Sequence, residues 1–224
     1  VISQSWFSGE AGYEIYLRNA TLYAEDMWNA VLKAGKKHKL MVIAPAHHRR
    51  IQAGILSWGQ DMDQEHNPFQ CNLGYQVSLS GKGVWDKKTD YVGREVLEKM
   101  KEQLKNGEKP YKLQLVGLEI GGKPIEEYAP DFWLISSSDN SNHCGFITSP
   151  WYHPEQKRNI AMGYVPFDGT LNDNGFPIGN YGHKFKVHLP EEYSDIPGVP
   201  VDAEVLPIPF TKSFNANTRE VSNV

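Results

Sequence analysis

The chain is poor in cysteine: Cys71 and Cys144 are its only two. They are too few and too widely separated for a disulfide framework or a zinc knuckle, so a reducing, cytoplasmic setting is expected, with both thiols small and buried. Charge of one sign is also lacking, since 23 basic residues face 27 acidic ones and no basic stripe stands out. Proteins that neutralise phosphates cluster Lys and Arg, so no nucleic-acid partner is expected. Long hydrophobic runs are missing too. The longest without a proline, residues 40–44, falls far short of the roughly 20 residues that a spanning helix needs, and no membrane partner is expected. Val1-Ile2-Ser3-Gln4-Ser5-Trp6 has neither a basic stretch nor an initiator Met, so no secretory signal is visible and the chain reads as cut from something longer.

Several motifs of chemistry are absent as well. There is no Gly-x-Ser-x-Gly elbow, no Cys-x-x-Cys, and no glycine-rich loop with the spacing that cradles phosphate. The run Asp61, Asp63, Glu65 follows a calcium loop for three positions, then lacks its glycine and its final glutamate. Of eight histidines, His47 and His48 are adjacent and diverge by about 100° on a helix, so they cannot share an ion, and no metal is expected.

What is present is enough for a core: 40% of the residues are hydrophobic and 12% aromatic, which excludes disorder. Residues 12–17 alternate as a strand covered on one side, with Tyr13, Ile15 and Leu17 opposite Glu14 and Tyr16. Spacings of four predict a helix over 22–34, pairing Met27 with Val31 and Trp28 with Leu32 and ending at Gly35. A short buried strand over 40–43 follows, then a helix opened by Pro45 that carries Ile51 and Ile55 inward and stops at Gly59. Residues 75–79 read as a strand, and 94–106 as a helix with Val96, Leu97, Met100 and Leu104 on one side.

Beyond 107–110 the texture changes to short β-rich pieces between turns: 113–120, 132–136, 144–148, 160–165, 185–189 and 199–205. The fold class is therefore α+β, with residues 1–109 as one region and 110–224 as a small C-terminal β-barrel. Residues 140–154 read as a loop packed on itself around the strand at 144.

The most informative constellation is Trp6-Phe7-Ser8-Gly9-Glu10-Ala11-Gly12-Tyr13-Glu14-Ile15-Tyr16. Aromatic faces can stack on a flat heterocycle, and a strand-mounted glutamate can accept two parallel hydrogen bonds from an amidine-like edge such as a pterin's. An exposed glutamate alternating with core residues is also commonplace on a half-covered strand.

Here the chain resembles the folate-binding aminomethyltransferase family, whose type member is the T-protein of the glycine cleavage system. The resemblance rests on Gly9-Glu10-Ala11-Gly12-Tyr13-Glu14-Ile15, Arg50-Ile51-Gln52-Ala53-Gly54, Tyr91-Val92-Gly93-Arg94-Glu95, Val116-Gly117-Leu118 and Asn159-Ile160-Ala161-Met162-Gly163-Tyr164-Val165-Pro166. It implies a partial aminomethyltransferase fold followed by the barrel, with tetrahydrofolate as cofactor. It places Glu14 on the carboxylate that grips the pterin, with Phe7 and Tyr75 as aromatic contacts; Trp6, next to Phe7, is a further candidate to cover the ring. The family's catalytic residue belongs to an N-terminal portion not matched here, so none is assigned, and that portion is an expected partner.

Where the family has arginines for the folate tail, this chain has Ala46 and Leu115. Gly54-Ile55-Leu56-Ser57-Trp58-Gly59-Gln60-Asp61 and Asn67-Pro68-Phe69-Gln70-Cys71 are similar to the tetrahydrofolate-dependent dimethylsulfoniopropionate demethylases. The implied activity moves a methyl or other one-carbon unit from a small donor to N5 of tetrahydrofolate. The folate half of a flavin-dependent sarcosine or dimethylglycine dehydrogenase, and a non-catalytic binding module, are the alternatives. By family position, residues 140–154 are also able to reach over the active-site mouth.

Overall fold

The computed structural model describes residues 1–5, 7–44, 46–79, 91–126, 132–190 and 197–210. Its second half is a closed six-stranded antiparallel barrel in the order β3-β6-β5-β4-β7-β8. The strands are β3 (Leu113–Ile120), β4 (Trp133–Ser137), β5 (His143–His153), β6 (Arg158–Pro166), β7 (Lys184–Pro190) and β8 (Pro197–Leu206). Each strand expected in this half is found, and β5 runs on to His153, so most of residues 140–154 is ladder and not loop.

Every second residue points into the barrel, where Val116, Leu118, Ile135, Ile147, Ala161, Val187 and Val205 form its core. Most outward residues of β3 and β6 are apolar too, apart from the Arg158–Glu119 pair at one end. Leu115, Ile160, Met162 and Tyr164 are buried in a second cluster with Ile51 and Phe210. Strands covered on both faces lose their polar alternation, which is why these two read as almost continuous hydrophobic runs. Burial of each such side chain is worth about 1.5–3 kcal/mol, so this outer layer is a substantial seam between the barrel and the preceding segment.

That segment begins with a hairpin, β1 (Ile2–Ser5) and β2 (Gly12–Ile15), followed by α1 (Ala20–Gly35) and α2 (His47–Gln52). Helix α1 buries none of its residues, and the expected buried strand at 40–43 is an extended stretch without a ladder. Met41 is 77% exposed and Ile43 75%. A buried strand needs both a hydrogen-bonding partner and an apolar cover, and neither lies on it among the described residues. Ile15 and Tyr13 on the apolar face of β2 are likewise exposed.

Helix α2 is shorter than its periodicity predicts, and Pro45 lies outside the described residues. Its stop is a Schellman turn: Gly54 at φ +69° donates from its N–H to the Ile51 carbonyl at 2.9 Å, and Ile55 N–H reaches the Arg50 carbonyl at 2.8 Å. A Cβ on Gly54 would lie 1.9 Å from the Ile208 side chain, so the chain passes there only as glycine. Residues 75–79, expected as a strand, contain a single 3₁₀ turn, Gly74–Gln76, and Val77 and Leu79 pack against a third cluster around Phe69, Leu104 and Phe167. Helix α3 (Arg94–Lys105) presents Leu97, Met100 and Leu104 to that cluster, while Val96 stays exposed.

One buried ion pair fastens α2 to the barrel. Arg50 Nη1 donates to Asp61 Oδ2 at 2.7 Å and to the Ile55 carbonyl at 3.1 Å, and its Nη2 donates to Ser149 Oγ on β5 at 2.8 Å. Asp61 in turn accepts from Thr148 Oγ1 at 2.6 Å, Ser149 Oγ at 2.5 Å and the Ser57 N–H at 2.9 Å. The Tyr164 hydroxyl donates to the Asp61 carbonyl at 2.7 Å. Burying two charges is costly, and the surrounding hydrogen bonds are what make it tolerable.

Replacing Arg50 by Met strands the Asp61 carboxylate inside. Urea unfolding should show a loss of about 3–5 kcal/mol, and a loss under about 1 kcal/mol would contradict a closed network. Gly54→Ala should cost more than Gly59→Ala in the same assay. Both glycines have positive φ, but the space around Gly59 is empty, so there only backbone strain of about 1–2 kcal/mol applies.

Candidate functional site

Glu14 sits on β2, opposite Ser3 in the hairpin register. Its carboxylate is held from two sides: Ser5 Oγ donates to Oε1 at 2.9 Å, and the Tyr16 hydroxyl donates to Oε2. Tyr16 is two residues along the strand and therefore on the same face, as the alternation in the sequence predicts. The hydrogen bond from Tyr16, with that from Ser5 second, holds the Glu14 carboxyl below the usual carboxylate range. Tyr16 moves the opposite way, its phenol pushed up because its proton is shared with that carboxylate. The result is an exposed, ionised acceptor with its rotamer fixed before any ligand arrives.

Phe7 belongs to the same hairpin and is half exposed, in a loop whose turn is made by the buried Gly9 at φ +79°. From that loop, Glu10 Oε1 accepts from Arg49 Nη1 at 3.4 Å, which leans the hairpin tip toward α2. Both side chains are solvated, so the pair orients more than it stabilises. Trp6 lies outside the described residues.

Tyr75 is placed elsewhere. It lines a cavity of about 460 Å³ between the 53–75 segment and the barrel, together with Asn72, Leu115, Tyr181 and Ile208. That volume is in the usual range for a small-molecule site, and none of its lining residues is charged. Leu115 there is fully buried in β3, so the position where the resemblance expects an arginine is a packing position. Among the described residues, no hydrogen bond or ring contact joins Phe7 and Glu14 to Tyr75.

The other candidates from the sequence have structural roles. Cys71 is buried, its Sγ 3.4 Å from the Tyr164 hydroxyl, and burial pushes the thiol up, away from a thiolate. Burial also pushes up the half-buried Cys144. His47 and His48 are pushed down, first by burial and then by Arg50 and Arg49 respectively. Asp61 is consumed by Arg50, and Asp63 takes the Glu65 N–H at 2.8 Å. Among the described residues no group of three or more His, Cys, Asp or Glu is placed to hold a metal. The supports Ser5 and Tyr16 were not singled out from sequence, although period-two alternation alone puts Tyr16 beside Glu14.

Comparison with known proteins adds lineage to this geometry. Residues 1–81 match the model of the GCVT N-terminal domain. The chain is 32% identical over 167 residues to the dimethylsulfoniopropionate demethylase of Ruegeria pomeroyi, covering 74% of this chain and 40% of that protein. It is 31% identical over 170 residues to an aminomethyltransferase of Symbiobacterium thermophilum, covering 74% and 40%. An aminomethyltransferase of Geobacillus is 26% identical over 191 residues, covering 84% and 47%. The chain thus spans less than half the length of these relatives. In fold it superposes on the crystal structure of the glycine cleavage system aminomethyltransferase T from Bartonella henselae with a TM-score of 0.64, over 94% of this chain and 49% of that one, at 21% identity. The matched domain and the sequence relatives show that the chain belongs to the folate-binding aminomethyltransferase family, and the solved structure shares its fold.

Proposed function

We propose that the complete protein transfers a methyl or other one-carbon unit from a small donor to N5 of tetrahydrofolate. The observation that carries this reading is Glu14, an exposed carboxylate kept ionised by Ser5 and Tyr16 on the hairpin that also bears Phe7. Such a group accepts two parallel N–H bonds from the amidine edge of a pterin, and a neighbouring aromatic face can cover the ring. Relatives described as an aminomethyltransferase and a dimethylsulfoniopropionate demethylase support the reaction class. Tetrahydrofolate is then the acceptor, and the donor is a small molecule activated by its own positive charge or protonated leaving group. Catalysis in such a site is mostly orientation and exclusion of water, with Glu14 fixing the rotation of the pterin.

We further propose that an N-terminal portion completes the site by covering the 1–44 region, where Tyr13, Trp28, Met41 and Ile43 now face solvent. So many exposed large apolar side chains within one segment point to a contact face. The 224-residue chain alone should therefore bind a hydrophobic dye such as ANS, and the chain extended to the length of its relatives should bind much less. Equal dye binding by the two would remove the case for a covering portion.

In the extended protein, Glu14→Gln should weaken tetrahydrofolate binding about ten- to a hundredfold, followed by quenching of tryptophan fluorescence. One acceptor of the pair becomes a donor, and a hydrogen bond to a charged group is worth about 1.5–3 kcal/mol. Unchanged affinity would sink the assignment of Glu14 and, with it, the main support for a folate site.

A further inference from the structure

The barrel is not filled to its rim at the end where β3 and β7 begin and β6 and β8 end. A cavity of about 220 Å³ opens there, floored by Val116, Val165, Phe185 and Val205, each at most 7% exposed. The connection from β6 to β7 folds over it. Ile178 N–H donates to the Thr170 carbonyl at 3.1 Å, while Gly182 N–H donates to the Val205 carbonyl and Val205 N–H to the His183 carbonyl, both at 2.9 Å. Within that connection Gly179 presses so close to the barrel that a Cβ would lie 2.5 Å from Val116 and 2.8 Å from Val205. Backbone bonds and packing therefore fix the walls before any ligand arrives.

Two opposite charges stand on the rim of this cavity without pairing to each other. Asp168 accepts from the Thr170 N–H at 2.9 Å and from the Asn180 side chain. Burial pulls its carboxyl up, but those hydrogen bonds outweigh it and hold the group below the ordinary carboxylate range, so it is ionised at neutral pH. Lys109, from the segment between α3 and β3, passes beside it, with Cε 3.6 Å from where a Cβ on Gly169 would stand. No hydrogen bond or ion pair engages the Lys109 ammonium among the described residues. Both groups are exposed to solvent.

We propose that this mouth binds a small free amino acid whose apolar side chain enters the barrel, its ammonium meeting Asp168 and its carboxylate Lys109. An apolar lining with a few placed polar groups, in the mouth of a β-barrel, is a usual setting for a small ligand. A cavity of roughly 150 Å³ holds benzene, so the space here suits a side chain the size of leucine, methionine or phenylalanine and nothing as large as a nucleotide. His183 lies flat on Phe185 with centroids 4.7 Å apart and extends the wall outward. A hydrocarbon would leave both rim charges unused, and a simple acid or amine would use one. A zwitterion uses both, with its head at the wet rim where no charge has to be buried.

Among the described residues no hydrogen bond or ring contact joins this rim to the hairpin of Glu14, so the two sites work independently. A bound amino acid would tie the segment leading from α3 to the connection between β6 and β7, two stretches that meet at the rim through Lys109 and Gly169.

The test is calorimetric titration of the protein, extended to the length of its relatives and free of tetrahydrofolate, with L-leucine, L-phenylalanine and glycine. Leucine or phenylalanine should saturate one site per chain with a dissociation constant of roughly 0.01–1 mM. Glycine, with nothing to place in the mouth, should bind at least about tenfold more weakly. Lys109→Met and Asp168→Asn should each weaken the tighter ligand at least about threefold, and Glu14→Gln should leave it unchanged. The amide in Asp168→Asn still offers the Thr170 N–H an acceptor, and thermal melting checks the fold of each variant. With the single-charge analogues, 4-methylpentanoate should respond only to Lys109→Met and 3-methylbutylamine only to Asp168→Asn. Absence of saturation by both amino acids, glycine binding as tightly as leucine, unchanged binding in both rim variants, or loss of binding in Glu14→Gln would each overturn the proposal.

Discussion

Arg50 and Asp61 decide how the two halves of the described chain meet. An isolated charge in either place would be expelled, but each pairs with the other, and Ser149, Thr148, Ser57 and the Ile55 carbonyl take up further hydrogen bonds, leaving Arg50 Nε without a partner among the described residues. Because the donors come from α2, from the loop after it and from β5, the pair is complete only in one relative placement of all three. Hydrophobic contact between Ile51 and the outer face of β3 and β6 supplies stabilisation without direction; the ion pair supplies the direction. The cavity lined by Tyr75 and Leu115 lies against this seam, so its shape depends on the same placement.

The hairpin bearing Glu14 is organised differently. It has no buried core, and its fixed features are local: the β1–β2 ladder, the turn at Gly9, and the hydroxyls of Ser5 and Tyr16 on the carboxylate. A binding group of this kind is preorganised within its own two strands and needs the rest of the protein only to face it with a ligand. Rigid seam and locally built hairpin are joined by the weakly held contact of Glu10 with Arg49.

How much of this was legible beforehand follows from where each element finds its partners. The six barrel strands could be read because they pair and bury one another within the chain, so alternation and turn residues matched the final environment. The strand expected at 40–43 is absent, since Leu40, Met41, Val42 and Ile43 have the composition of a buried strand but no ladder among the described residues. Helix α2 is shorter than its spacing predicts because Ile55 keeps the period, while the Ala53-Gly54 stop is the stronger signal. For the site, Glu14 and Phe7 were marked by chemistry and resemblance, and Tyr16 was within reach of the alternation. The ion pair is not, because Asp61 reads as part of an acidic loop and the serine that completes it is 99 residues from Arg50.

The tail of the described chain closes the molecule. Phe210 N–H donates to the Gln52 carbonyl at 2.9 Å, and Ile208 fills the space that Gly54 leaves open. During synthesis, α2 leaves the ribosome before its covers: Ser149, which takes its guanidinium, follows 99 residues after Arg50, and Ile208, which packs on Gly54 at its end, later still. Its burial must therefore wait for the barrel, and the ribosome releases this region as a late-closing clasp whose rate is set by long-range contacts and not by helix formation.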